Sequence, residues 1–195
     1  HPEYYQDMAQ RLSEENGWFY INQFSNQDNV KAHYTTTGPE IWQQMDGKID
    51  AMVVGVGSGG TVTGLGTYLK EQNPDMEMVL ADPDGSILAH YHKTGEMIEA
   101  GSWLVEGIGE DFIPDICNMK LFDKAYTVDD KEAMNVGRDL MLKEAIMGGS
   151  STGTLLAAAL KYCQEQTKPK RVVTLICDTG NRYLSKMYND DWIPK

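Results

Sequence analysis

The sequence predicts an α/β protein with a largely parallel sheet covered by helices on both faces. Short apolar runs alternate with helix-length segments along all 195 residues, the pattern of repeated strand–helix units. The runs at 49–56, 77–81 and 171–176 are nearly continuous in apolar residues, as strands buried on both faces require. A chain of this length, 41% hydrophobic and 24% charged, can bury a real core.

Residues 3–16 read as a helix, followed by a strand at 18–24 and a polar, turn-rich stretch at 25–29. The segment 31–45 reads as helical, with Thr37 or Gly38 as its cap and Pro39 in the first helical position. A buried strand is predicted at 49–56, a helix at 64–71 and a strand at 77–81. After a long irregular stretch, a strand is expected at 124–128. Asp129 then caps a helix reaching about Lys143. A helix at 152–166, a strand at 171–176 and a helix at 180–188 complete the reading.

Composition excludes several classes of function. A net charge of −12 argues against a nucleic-acid partner, which calls for clustered Lys and Arg. No apolar run is long enough to span a membrane. Cys117, Cys163 and Cys177 are odd in number and lack CxxC spacing, so neither a disulfide framework nor a zinc site is expected, and a cytoplasmic setting is the default. His33, His90 and His92 are not spaced as metal ligands and read as solvated or capping residues. The chain opens on His1 rather than Met, so a preceding segment is expected.

The strongest chemical signal is the run Val53-Val54-Gly55-Val56-Gly57-Ser58-Gly59-Gly60-Thr61, in which a strand passes through glycines into a helix. Glycines admit close approach of an anion, and the helix start offers free N–H groups and a partial positive charge. Ser58 and Thr61 add hydroxyls. Two phosphate ligands suit this loop. Gly55 to Gly60 fits G-x-G-x-x-G, and Asp82 ends the next strand where a ribose-binding acid stands, which is the reading of a nicotinamide-dependent oxidoreductase. No Gly-Lys-Ser/Thr follows, so a Walker loop is excluded. Against the dinucleotide, the loop is richer in hydroxyls than a pyrophosphate turn needs, and Pro83-Asp84-Gly85 makes Asp82 look like the start of a turn. Ser150, Ser151 and Gly153 form a second candidate, either an anion site at a helix start or a tight turn.

Further segments resemble the cystathionine β-synthase and cysteine synthase family. They are Gln23-Phe24-Ser25-Asn26, the stretch from Ala32 through His33-Tyr34-Thr35-Thr36-Thr37-Gly38-Pro39-Glu40-Ile41-Trp42, and Gly57-Ser58-Gly59-Gly60-Thr61. Asp82-Pro83-Asp84-Gly85-Ser86, the stretch from Val105 to Pro114, Gly148-Gly149-Ser150-Ser151-Thr152-Gly153 and the stretch from Cys177 to Leu184 follow in the family's order.

The resemblance implies a tryptophan-synthase-β-like, fold type II enzyme that depends on pyridoxal 5′-phosphate (PLP). It implies that Gly57, Ser58, Gly59, Gly60 and Thr61 cradle the cofactor phosphate and that Thr179 contacts the pyridine nitrogen. Gln23 would help hold the substrate carboxylate, and Gly107 would lie close to the substrate. The implied reaction is β-replacement on serine or an activated serine, with an amino acid and a thiol as partners. Homocysteine is the expected thiol, with O-acetylserine and sulfide the alternative. Glu106 leans towards cystathionine synthesis, while Glu110 stands where many such enzymes carry Tyr.

The family's Schiff-base lysine is expected in an N-terminal segment outside this chain, so the catalytic residue is not assigned, and this chain alone is expected to be inactive. Residues 1–34 are then a remnant of a smaller domain and 35–195 the large phosphate-binding domain. The predicted strand at 18–24 would be left with unpaired edges. A homodimer is the implied assembly.

Overall fold

The computed structural model describes residues 4–193. Four parallel strands form one sheet: β1 (Ala51–Val54), β2 (Glu77–Pro83), β3 (Lys124–Val128) and β4 (Val172–Thr174), in the order β3-β2-β1-β4. The helices are α1 (Tyr5–Asn16), α2 (Gln27–Ala32), α3 (Gly38–Gln44), α4 (Gly60–Gln72), α5 (Leu88–Thr94), α6 (Asp130–Glu144) and α7 (Ser150–Gln164). The predicted α/β architecture is therefore the observed one.

Successive strand residues feed two separate cores, as a period of two demands. Met52, Val54, Met78 and Leu80 join Val62, Leu65 and Leu69 of α4 on one face. Ala51, Val53, Val79 and Ala81 join Ala133 and Met134 of α6 and Leu155 and Ala158 of α7 on the other. Glycines set the spacing between layers: a Cβ on Gly153 would meet the Ala133 carbonyl oxygen at 2.0 Å, so α6 and α7 pack backbone to backbone there. Gly153 is thus explained by helix packing.

Several local readings change. Residues 18–24 form no strand: Trp18, Phe19 and Ile21 are exposed, and no sheet strand among the described residues pairs with them. Their run of aromatic and β-branched residues has no neighbouring strand to satisfy among the described residues. The helix expected at 31–45 begins earlier, at Gln27, where the Asn26 side chain accepts from the Asp28 N–H. It continues through a π segment at His33–Thr37 into α3, so Thr37 and Gly38 are helical and cap nothing. Helix α5 lies in the stretch read as irregular. The predicted helix at 180–188 is a short 3-10 turn at Gly180–Tyr183. Asp129 caps α6 as expected, accepting from the Glu132 N–H at 2.8 Å. No helix among the described residues is long and apolar enough to cross a membrane.

Chain direction locates the site. From β1 the chain moves outward to β2 and β3, then returns to place β4 on the other side of β1. Ligands of open parallel sheets sit beyond the carboxyl ends of strands at such a switch.

Candidate cofactor and substrate site

A cavity of 490 Å³ opens at that switch, within the range of about 300–1,000 Å³ usual for small-molecule sites. Val54 and Gly55 leave β1 along one wall, and Leu175, Ile176, Cys177 and Asp178 follow β4 along another. The glycine loop supplies Gly57, Ser58, Gly59 and Thr61. Gln23, Glu106 and Gly107 come from separate loops. Six of the eight residues singled out in the sequence thus line one cavity. Gly60 stands between two lining residues as the first residue of α4, and Thr179 is exposed and outside the lining, bridged through its backbone to Gly148.

The loop's glycines stand where side chains have little room. A Cβ on Gly60 would meet Asn29 Oδ1 at 2.0 Å, and one on Gly59 would meet Cys117 Cβ at 2.5 Å. Gly59 also takes a left-handed backbone (φ 87°), which a Cβ disfavours. The first turn of a helix leaves N–H groups without intrahelical partners. None of the N–H groups from Ser58 to Val62 donates to a protein acceptor among the described residues.

Sequence reasoning missed the residues behind the loop. Asn29 Nδ2 donates to Ser58 Oγ and to the Gln23 carbonyl oxygen, both at 3.0 Å, tying the Gln23 turn to the loop. His33 lines the cavity, with Nε2 3.2 Å from Thr61 Oγ1 and Nδ1 2.8 Å from Thr37 Oγ1. This corrects the reading of His33 as a solvated or capping residue. The signal available was the spacing Asn29-His33-Thr37, which repeats every four residues along one helical face.

The remaining walls are held by specific bonds. Ser150 Oγ accepts from the Glu106 N–H at 3.0 Å, so Ser150 positions the Glu106–Gly107 turn while Ser151 lines the cavity itself. Lys186 pairs with the Glu106 carboxylate. Asp178 accepts from the Tyr183 hydroxyl at 2.8 Å, and its other oxygen packs against Gly149 at the start of α7. Burial, and then that bond, push the Tyr183 phenol up to about 12, which keeps it a donor. Burial pushes the Cys117 thiol up to about 12 as well, so Cys117 serves as packing against Gly59. No lysine among the described residues lines the cavity.

Asp82 is elsewhere. Fully buried, it accepts from the Ala89 N–H at 2.8 Å and fixes the start of α5. The acid required by the dinucleotide reading is therefore absent from the cavity. Comparison with known proteins points the same way. The family model described as pyridoxal-phosphate dependent enzyme matches residues 2–178.

The chain belongs to the pyridoxal-phosphate dependent enzyme family.

Family relatives include a cystathionine beta-synthase of Apis mellifera, 38% identical over 98% of this chain and 38% of its own length. An O-acetylserine dependent cystathionine beta-synthase of Bacillus subtilis (strain 168) is 40% identical over 86% of this chain and 52% of its own length. Cysteine synthase 2 of Schizosaccharomyces pombe (strain 972 / ATCC 24843) is 36% identical over 91% of this chain and 48% of its own length. The chain thus spans about half or less of the curated relatives it matches.

The donor set fits the cofactor that names the family. Free N–H groups, two hydroxyls and a left-handed glycine at a helix start suit a phosphate. The loop itself carries no carboxylate to repel one.

Proposed function

We propose that this chain forms the phosphate-binding part of a PLP-dependent β-replacement enzyme, acting on serine or an activated serine with homocysteine as the thiol. The observation that carries the reading is the glycine-rich cradle at Gly57–Thr61, sharing one cavity with Gln23 and Gly107. PLP supplies, when bound, an electron sink for loss of a β-substituent and addition of a thiol.

The chain's own residues bind and orient. Backbone N–H groups from Ser58 to Val62, with the Ser58 and Thr61 hydroxyls, hold the phosphate dianion by charge-assisted hydrogen bonds. Gln23, fixed through Asn29, presents its amide to the substrate carboxylate. Gly107 keeps the opposite wall low, where a side chain would intrude on the substrate. Thr179 is assigned to the pyridine nitrogen on the sequence match, being the residue next to the lining Asp178. A hydroxyl there stabilises ring protonation less than a carboxylate does. The neighbouring Asp178 is committed to Tyr183.

Residues 1–34 we assign to a remnant of a smaller domain and 35–195 to the large one, a reading supported by the exposed Trp18, Phe19 and Ile21. The free Cys117, Cys163 and Cys177 support a cytoplasmic setting. A homodimer is proposed from the family resemblance. Glu106 at the cavity wall and the names of two relatives favour homocysteine over sulfide.

Two assays test the proposal. The full-length protein is supplied with serine and homocysteine or with O-acetylserine and sulfide. Faster cystathionine formation is expected, and turnover only with sulfide would replace the first choice by the cysteine synthase reading. Borohydride trapping with PLP, followed by peptide mass spectrometry, is expected to tag no lysine of this chain. A specific tag at Lys186, which reaches the cavity wall through Glu106, would contradict it.

A further inference from the structure

His33 stands at the centre of a three-membered polar chain that ends in the cavity. Its ring joins Thr37 Oγ1 at 2.8 Å to Thr61 Oγ1 at 3.2 Å, and all three residues line the cavity. The neighbouring threonines behave differently. Thr35 and Thr36 turn their hydroxyls onto the Lys31 and Ala32 carbonyl oxygens, the usual back-bonding of a helical threonine. Thr37 alone of the three gives its hydroxyl to a side chain. The π segment at His33–Thr37, where the Gly38 N–H reaches back to the His33 carbonyl, holds this pair.

We infer that His33 is a positioning residue: as a neutral imidazole protonated on Nε2, it donates to Thr61 Oγ1 and so leaves the Thr61 proton free to point at the phosphate. The tautomer follows from counting donors and acceptors. A hydroxyl has one proton to give. An anion in the cradle accepts only, so Thr61 spends that proton on it and must receive from His33. Nε2 then carries hydrogen, and Nδ1 accepts from Thr37. Burial lowers the His33 pKa, which favours the neutral ring that this arrangement needs. A half-buried neutral side chain orients the hydroxyl without placing a competing charge beside the phosphate.

The inference rests on the cofactor reading above, and the test separates the two. Long-range proton–nitrogen correlation spectra of the full-length protein report the tautomer directly: Nε2–H is expected for His33, and Nδ1–H would overturn the role. Affinities for PLP and for pyridoxal, which lacks the phosphate, are then compared in the wild type, His33→Leu, His33→Gln, Thr61→Val and the His33→Leu/Thr61→Val pair. His33→Leu is expected to lose about tenfold for PLP, as one hydrogen bond to a charged group is worth, and nothing for pyridoxal. His33→Gln, whose amide N–H replaces Nε2–H, should restore PLP affinity, and the double variant should be no weaker than Thr61→Val. Equal losses for both ligands, or additive losses in the double variant, would overturn the positioning role while PLP still binds the wild type. A wild type that favours PLP no more than pyridoxal would instead overturn the cofactor reading, and this inference with it.

Discussion

The carbonyl oxygen of Gly107 lies 2.6 Å from where a Cβ on Gly57 would be. The glycine loop and the Glu106–Gly107 turn are therefore in close contact, with no room for a methyl between them at the cavity wall they share. Gly57→Ala must push the turn away, because the obstacle is backbone rather than a side chain that can rotate. PLP affinity is expected to fall by more than tenfold, with a stability loss of about 1–3 kcal/mol from the forced contact. Equilibrium PLP titration alongside urea unfolding checks both, and unchanged affinity would show that the two loops are not coupled.

Glu110 makes stability depend on pH. Burial, with Asp111 adding to it, pushes its carboxyl from 4.5 up to about 7. An acid whose pKa is raised by folding binds its proton more tightly when folded, so the stability it contributes is present below about 4.5 and lost as pH rises through about 7. Glu110→Gln removes that loss. The variant's advantage over the parent is expected to be roughly 1–2 kcal/mol larger at pH 8 than at pH 5, once partial solvation is allowed for. Urea unfolding at the two pH values reads it, and an equal difference at both would refute the assignment.

Tyr162 offers the complementary case, stability without function. Its fully buried ring carries a hydroxyl that donates to Glu77 and accepts from Lys170 at 2.7 Å. Glu77 opens β2, so this cluster lies at the opposite ends of the strands from the cavity. Tyr162→Phe should cost about 1–2 kcal/mol in unfolding free energy and leave PLP affinity unchanged. A variant that loses PLP would mean that the sheet transmits strain between its two ends.

Much of this architecture was legible because it obeys local rules. Lys124–Val128 is a strand where predicted, and Asp129 caps α6 where an acid before a helix should. The glycine loop was legible because a strand passing through closely spaced glycines into a helix start is a local pattern. Elements decided by side-chain geometry or by a partner element were not legible. Helix α5 is started by Asp82 and Ser86, whose side chains accept from the Ala89 and Leu88 N–H groups across the turn that follows β2. Residues 18–24 have a strand's pattern but no partner strand among the described residues. Of the candidate site, the cavity-lining glycine loop was readable and the residues behind it were not. Asn29 and His33 contact Ser58 and Thr61, 29 and 28 residues further along, and their four-residue spacing marks a shared helical face but not the partners it meets.

The backbone N–H groups from Ser58 to Val62 can be read directly by hydrogen exchange of the full-length protein with and without PLP. Slowed exchange concentrated on these amides is expected, because the phosphate gives partners to donors that the fold leaves free. Unchanged exchange at 58–62, with protection appearing elsewhere, would contradict the assignment of this loop as the phosphate site.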